Sequence, residues 1–292
     1  MNVSIIGDKG LAKELGKKGT VSDLALYNTS FQGKYFTFIE PEKYPEKIQT
    51  LFQSINMSQF SILFITNNLS KNVLGECILA LDMLKIKGVI VLDGLTESEI
   101  RPILDQTSLK EYPILKNNVA QIMEFLFSIN IEKKTGKPKA IIDHAFLVKS
   151  VGVVALGTVV SGEIKKHDNL ILYPIKKNVI IKSIQIHDKD YDRAECYERL
   201  GVSLKGVEVE DIERGCVISN AIECVKELKV IVTKNKFYKE DESKNVMCIV
   251  GLQYVNATLD DGKIKFSKEV VYDNEPVVIL TPEKQMRLFG VA

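Results

Sequence analysis

Residues 145–160 read AFLVKSVGVVALGTVV: two runs of aliphatic and β-branched side chains, Ala145–Val148 and Val153–Val160, parted by Lys149-Ser150. Short β-rich runs bounded by polar and glycine residues are strands. The same texture continues through Asn169–Tyr173, Val179–Ile186, Gly201–Leu204 and Cys216–Ile218. A second set follows at Leu228–Thr233, Val246–Val255, Gly262–Phe266 and Val277–Leu280. Strands at this spacing, separated by Gly, Asp and Asn, predict small antiparallel barrels.

Upstream the pattern is different. Val3–Ile6, Tyr35–Ile39, Ile62–Ile65 and Val89–Leu92 are short buried-type strands, and Pro45–Ile55, Gly75–Leu84 and Glu97–Leu104 carry apolar residues at helical spacing. Val119–Ile129 places Ile122, Met123, Leu126 and Phe127 on one face, as a closing helix would. Strand–helix alternation predicts a mostly parallel sheet covered by helices. Glu132–Lys139, EKKTGKPK, is a charged linker. The reading is thus α/β plus all-β: an α/β domain over 1–135, a first antiparallel β-barrel over 136–225 and a C-terminal barrel over 226–292.

Composition bounds the function classes. The chain has 292 residues, 45% hydrophobic and 26% charged, ordinary values that exclude a disordered or polytopic membrane chain. No apolar stretch approaches the ~20 residues of a membrane span, and no secretory signal is read at Met1. Cys77, Cys196, Cys216, Cys224 and Cys248 are odd in number and scattered, which suits reduced thiols of a cytoplasmic protein. His144, His167 and His187 are the only histidines, without zinc or triad spacing, so metal and cofactor are expected to be none. Lys+Arg number 39 against 38 Asp+Glu, so charge balance gives no argument for nucleic acid, and none for DNA in particular.

Several ordered motifs carry a resemblance. Asp143-His144-Ala145-Phe146, then Gly152-Val153-Val154-Ala155-Leu156-Gly157-Thr158-Val159 and Gly162, resemble the second domain of the translational GTPases, elongation factor Tu and its relatives. Ile181-Lys182-Ser183-Ile184-Gln185, Lys205-Gly206-Val207 and Asp211-Ile212-Glu213-Arg214-Gly215-Cys216-Val217-Ile218 continue it, with a likeness to archaeal SelB, the selenocysteine-specific factor. The resemblance implies that the first domain descends from a P-loop GTPase.

Laid against that pattern, the nucleotide motifs are eroded. A phosphate loop needs GxxxxGK[ST]. This chain reads Gly7-Asp8-Lys9-Gly10-Leu11-Ala12-Lys13-Glu14, keeping Gly7 and Lys13 but placing Ala12 for glycine and Glu14 for the Mg²⁺-binding hydroxyl. Gly19-Thr20-Val21-Ser22-Asp23 resembles a switch segment with Val21 at the Mg²⁺-binding threonine. The Asp-x-x-Gly-His switch aligns with Glu40-Pro41-Glu42-Lys43-Tyr44, so Lys43 stands for the pivoting glycine and Tyr44 for the water-positioning histidine. The guanine-reading motif aligns with Asp93-Gly94-Leu95-Thr96, and the Ser-Ala loop with Leu115-Lys116. Gly7 to Gly19 is short for a phosphate loop plus its helix. A divergent loop at Gly16-Lys17-Lys18-Gly19-Thr20 is the other reading, although Lys17 and Lys18 also suit a solvated turn. The expectation is a pseudo-GTPase without catalytic residues.

On the barrel, the resemblance carries the aminoacyl and tRNA 3′-end positions onto Asp143, His144, Phe146, Lys182 and Gln185. Each has a plainer role open to it: Phe146 in the core, Asp143 capping a turn, Gln185 in strand pairing. Lys165-Lys166 and Lys176-Lys177 sit at turns where they either touch phosphates or are solvated. SelB-like factors continue into a further domain, so delivery of selenocysteyl-tRNA unaided is not expected. The implied partners are tRNA, the ribosome or a translation-related protein. The alternatives are a protein–protein assembly module without RNA contact, and a divergent GTP-binding elongation factor.

Overall fold

The computed structural model describes residues 1–239 and 244–292. The chain forms two compact units. One comprises Met1–Ile131 with residues 232–239 and Val278–Ala292; the other comprises Glu132–Ile231 with residues 244–277.

In the first unit, β1 (Asn2–Gly7) leads to a one-turn helix α1 (Leu11–Leu15), then β2 (Lys17–Val21), β3 (Ala25–Phe31) and β4 (Lys34–Glu40). Next come α2 (Ile48–Asn56), β5 (Phe60–Thr66), α3 (Lys71–Leu84), β6 (Gly88–Asp93), α4 (Glu97–Leu104), β7 (Ile114–Lys116) and α5 (Val119–Ser128). The sheet order is β2-β3-β4-β1-β5-β6-β7. From β4 to β7 the strands run parallel, and the central β1, β5 and β6 are apolar and buried on both faces, as expected of a covered parallel sheet. The antiparallel β2 and β3 were not anticipated. Gly16–Thr20, weighed above as a loop, mostly forms the edge strand β2, and the switch-like Gly19–Val21 lies within it. The β3–β4 hairpin turns at Gln32-Gly33, both at positive φ, the geometry of a two-residue turn. Its core joins Val3, Ile5, Leu11, Ala12, Phe36, Phe38, Ile62 and Val89 with Ile122 and Leu126 of α5.

In the second unit, residues 132–138 contain no helix or strand, and Lys139, the last residue of the charged segment, opens the first strand. The strands β8 (Lys139–Val148), β9 (Gly152–Ser161), β10 (Glu163–Lys165), β11 (Asn169–Tyr173), β12 (Lys177–Ile186), β13 (Lys189–Tyr191), β14 (Arg193–Glu195), β15 (Arg199–Lys205) and β16 (Val217–Ser219) follow. Six of them close as β11-β16-β8-β9-β15-β12, with β12 pairing back onto β11. Inward side chains fill the barrel, among them Ile142, Ala155, Leu172, Ile181, Val202 and Ile218.

The C-terminal strands pair antiparallel within each unit. They are β17 (Glu223–Lys229), β18 (Thr233–Lys234), β19 (Asn245–Val250), β20 (Gln253–Asp260), β21 (Lys263–Tyr272), β22 (Val277–Leu280) and β23 (Leu288–Val291). Val246–Val255, read above as one strand, is β19 and β20 joined at Gly251-Leu252, where Gly251 takes φ +57°. The boundary placed near Val225 lies inside β17. Within the second unit, β17, β21, β20 and β19 are neighbours; within the first, β23 pairs with both β18 and β22.

The barrel and its neighbouring strands in the second unit are joined at Gly215. Its φ is +94°, and a Cβ there would stand 2.7 Å from the Gln253 nitrogen. Gln253 exchanges two 2.8 Å hydrogen bonds with the Val271 backbone, its Nε2 donating to the carbonyl and its Oε1 accepting from the amide.

Candidate functional site

The loop after β1 is the place to test for a phosphate cradle, because such a cradle presents backbone N–H groups to an anion. Gly7 takes φ +100°, and a Cβ would come within 2.2 Å of the Phe64 carbonyl oxygen, so the turn requires glycine. The amides of Asp8, Lys9 and Gly10 each have an acceptor within the chain. Asp8 N–H donates to the Phe64 carbonyl at 2.9 Å, and Lys9 N–H to the Asp8 carboxylate at 2.8 Å. Gly10 N–H donates to Glu40 Oε1 at 3.2 Å. The Thr66 hydroxyl donates to the other Asp8 oxygen.

Glu40 closes β4 and is 4% exposed. Burial pushes its carboxyl above the usual carboxylate range; the Gly10 amide opposes this and the Glu42 charge adds to it. The helix after the loop is too short to extend a phosphate site: α1 ends after one turn, with Gly16 back in extended conformation. On it Ala12 is buried, while Lys13 and Glu14 are exposed. The Lys9 ammonium donates to the Glu42 carbonyl at 2.8 Å.

Tyr44 is buried rather than presented to solvent. Its hydroxyl donates to Glu76 Oε2 at 2.9 Å, and the Cys77 sulfur lies 3.9 Å away. Burial, with Cys77 and Glu76 beside it, raises the phenol well above its ordinary value, and burial pushes the Cys77 thiol to about 12. Glu76 itself is forked by Arg287, whose Nε and Nη2 reach Oε1 and Oε2 at 2.8 and 2.5 Å. Arg287 Nη1 donates to the Pro45 carbonyl at 2.7 Å, and the guanidinium carbon lies 5.9 Å from the Tyr44 ring centroid. Lys43 N–H reaches the Asp23 carbonyl at 3.3 Å. Sequence reasoning did not find Glu76 or Arg287, since neither falls in a motif.

At the end of β6, Asp93 accepts from Asn117 Nδ2 at 3.3 Å. Thr96 caps α4: its N–H and hydroxyl donate to Glu99 Oε2 at 2.7 and 2.6 Å, which lowers the Glu99 carboxyl. Leu115 and Lys116 belong to β7. Among the described residues, no three His, Cys, Asp or Glu side chains gather as metal ligands, and no helix is long and apolar enough to cross a membrane.

On the barrel, strand register settles which candidate positions meet. His144 pairs with Leu156, Leu156 with Gly201, and Gly201 with Gln185; one row inward, Phe146, Val154, Ser203 and Ser183 are aligned in the same way. His144, Phe146, Lys182 and Gln185 are exposed. The His144 and Phe146 rings lie 5.8 Å apart. At the β12 bulge, the Lys182 ammonium donates to the Val151 carbonyl at 3.0 Å, and Gln185 Nε2 donates to Asp190 at 3.0 Å. Asp143 stands apart from this face. It is buried, paired to Arg199 through both oxygens at 2.5 and 3.3 Å, while Arg214 Nε donates to its carbonyl. The turn lysines also have carboxylate partners: Lys165 with Glu163, Lys176 with Glu269 and Lys177 with Asp211.

Residues 144–162 and 199–207 contain no Asp or Glu and carry Lys149, Arg199 and Lys205, while β13 sets Asp190 beside Gln185. An exposed aromatic ring with ammonium groups near it suits an anionic polymer.

An α/β domain followed by a closed six-stranded barrel is also the layout that the comparisons with known proteins return. The family model described as Elongation factor Tu domain 2 matches residues 152–219. The chain is 37% identical to "Uncharacterized protein MJ0325" of Methanocaldococcus jannaschii, over the whole of this chain and 98% of that protein. It is 28% identical to the selenocysteine-specific elongation factor of the same organism, over 92% of this chain but only 62% of that factor's length. Among solved structures, elongation factor SelB of Methanococcus maripaludis in complex with the GTP analogue GppNHp superposes with TM-score 0.84 at 20% identity, covering all of this chain and 78% of that one. A bacterial selenocysteine-specific factor gives 0.80 at 19% identity, over 99% and 57%. The chain belongs to the translational GTPase family and is similar to its archaeal SelB-like members.

Proposed function

We propose that this protein is a non-catalytic, cytoplasmic member of the translation-factor family that neither binds nor hydrolyses GTP and acts through its barrel. The observation that carries the reading is the loop Asp8–Gly10, whose three amides are all taken internally, the last by the Glu40 carboxylate. A nucleotide phosphate there would have to displace Glu40 and would meet like charge at low dielectric. Eroded motifs at Ala12, Glu14, Lys43, Tyr44 and Asp93–Thr96 support the same conclusion.

The exposed His144, Phe146, Lys182 and Gln185, with Lys149 after β8 and Lys205 at the end of β15, support binding of an RNA, with tRNA or ribosomal RNA as the expected class. Leu147, 67% exposed, and its exposed neighbours Val151 and Ile180 favour the second reading, a translation-related protein as partner.

The test is calorimetric titration with GTP, GDP and ATP in Mg²⁺, paired with thermal shift. At a hundred times Kd a ligand would add about 2.7 kcal/mol to stability. No heat and no shift at millimolar nucleotide are expected; micromolar binding would restore a divergent GTP-binding factor. Anisotropy with labelled tRNA then separates the RNA reading from the protein-partner reading.

A further inference from the structure

In a nucleotide switch, contacts to the γ-phosphate and Mg²⁺ order the segments that face them. Here the segment Glu40–Pro45 is held at both ends by the chain's own charged side chains. At its start, Glu40 accepts the Gly10 amide. At its end, one guanidinium, Arg287, reaches the Pro45 carbonyl, faces the Tyr44 ring and forks the Glu76 carboxylate that receives the Tyr44 hydroxyl. Arg287 and Glu76 are mostly buried, with side-chain exposures of 19% and 13%. A bidentate pair with this little water fixes geometry as well as charge. Arg287 immediately precedes β23, a strand of the same compact unit, and α3 and β23 pack together there.

We propose that Arg287 is a built-in latch: it replaces a bound nucleotide as the group that orders Glu40–Pro45, so this segment has one state in the absence of any ligand. The latch rests on the reading that the Gly7–Gly10 loop takes no nucleotide. It specifies which side chain performs the ordering. Tyr44 and Glu76 are positioning residues in this scheme, and none of the three is catalytic.

The test is hydrogen–deuterium exchange across residues 40–47 in the full chain, for wild type with and without millimolar GTP and Mg²⁺, and for Arg287→Lys and Arg287→Ala. Slow exchange in wild type, unchanged by GTP, is expected. Arg287→Lys keeps the charge and loses the planar fork, and should speed exchange in residues 40–47 by about tenfold, while barrel peptides from residues 139–219 stay as in wild type. Arg287→Ala should speed it further. Unchanged exchange in both variants would overturn the latch while leaving the nucleotide reading intact. Protection of residues 40–47 by GTP in wild type would overturn the nucleotide reading itself. If Arg287→Ala loses its fold, seen as fast exchange throughout the first unit, Arg287→Lys alone decides.

Discussion

Glu40 Oε1 accepts the amide of Gly10 at 3.2 Å across thirty residues of sequence, and this one bond joins the end of β4 to the loop after β1. Because burial raises the Glu40 carboxyl, the folded state holds its proton more tightly than the unfolded chain does. The sign follows. Stability from this group is fully present below the unfolded carboxyl value and is lost as pH rises through the raised folded value. Glu40→Gln keeps an acceptor for Gly10 and removes the titration. It should match wild type in acid and exceed it at neutral pH by on the order of 1 kcal/mol, as read from urea unfolding at pH 4 and pH 7.5.

Asp143 and Arg199 form a largely buried pair whose partners are 7% and 12% exposed. Removing one charge strands the other, at about 3–5 kcal/mol. Asp143→Asn should therefore lower the unfolding free energy read from urea titration by that amount, whatever happens to binding. Replacing both by apolar side chains, Asp143→Leu with Arg199→Met, should recover most of the loss. A variant Asp143→Asn as stable as wild type would show that the pair contributes little to the barrel.

Gly215 sits where a Cβ would strike the Gln253 backbone, at positive φ. Gly215→Ala should cost about 1–3 kcal/mol, and the loss should be accompanied by faster amide exchange at Val271, which donates to Gln253.

Phe146 and Lys182 are exposed on the barrel and hold no core position. Phe146→Ala should leave the melting temperature within a degree or two and weaken tRNA binding by roughly tenfold, the value of about 1–3 kcal/mol per stacked base. Removing Lys149 and Lys205 together should flatten the salt dependence of binding. Loss of tRNA affinity in none of these variants would move attention to the exposed Leu147–Val151 turn and a protein partner.

The fold was legible where strands are buried on both faces. Ile62–Ile65 and Val89–Leu92 are unbroken apolar runs, and Val3–Ile6 is broken only by the buried Ser4, as strands of a parallel sheet covered on both faces require. β2 was not legible, since Lys17, Lys18 and Gly19 on an edge strand resemble a turn, and such residues are what edges use to discourage further pairing. β19 and β20 merged in the reading because their turn at Gly251 is flanked by apolar residues on both sides. Motif order pointed to β8 and β12, but not to the register that puts His144 and Gln185 on one row, nor to Arg199, which holds Asp143 away from that face. Glu40 and Arg287 acquire their roles only through folding: Arg287 and Glu76 are 211 positions apart, and no local pattern announces a contact between them.

The one-turn length of α1 makes the loop's condition a matter of chain length, beyond residue identity. A chain carrying Ala12→Gly and Glu14→Thr would spell the nucleotide motif letter for letter. Its helix would still stop before Gly16, whose Cβ position lies 3.1 Å from the Asn28 carbonyl oxygen of the neighbouring strand β3. Point substitutions therefore leave the helix length unchanged. On the proposed reading, a phosphate loop here would require an insertion between Leu15 and Lys17 together with removal of Glu40, and a relative that binds nucleotide at this place should carry that extra length.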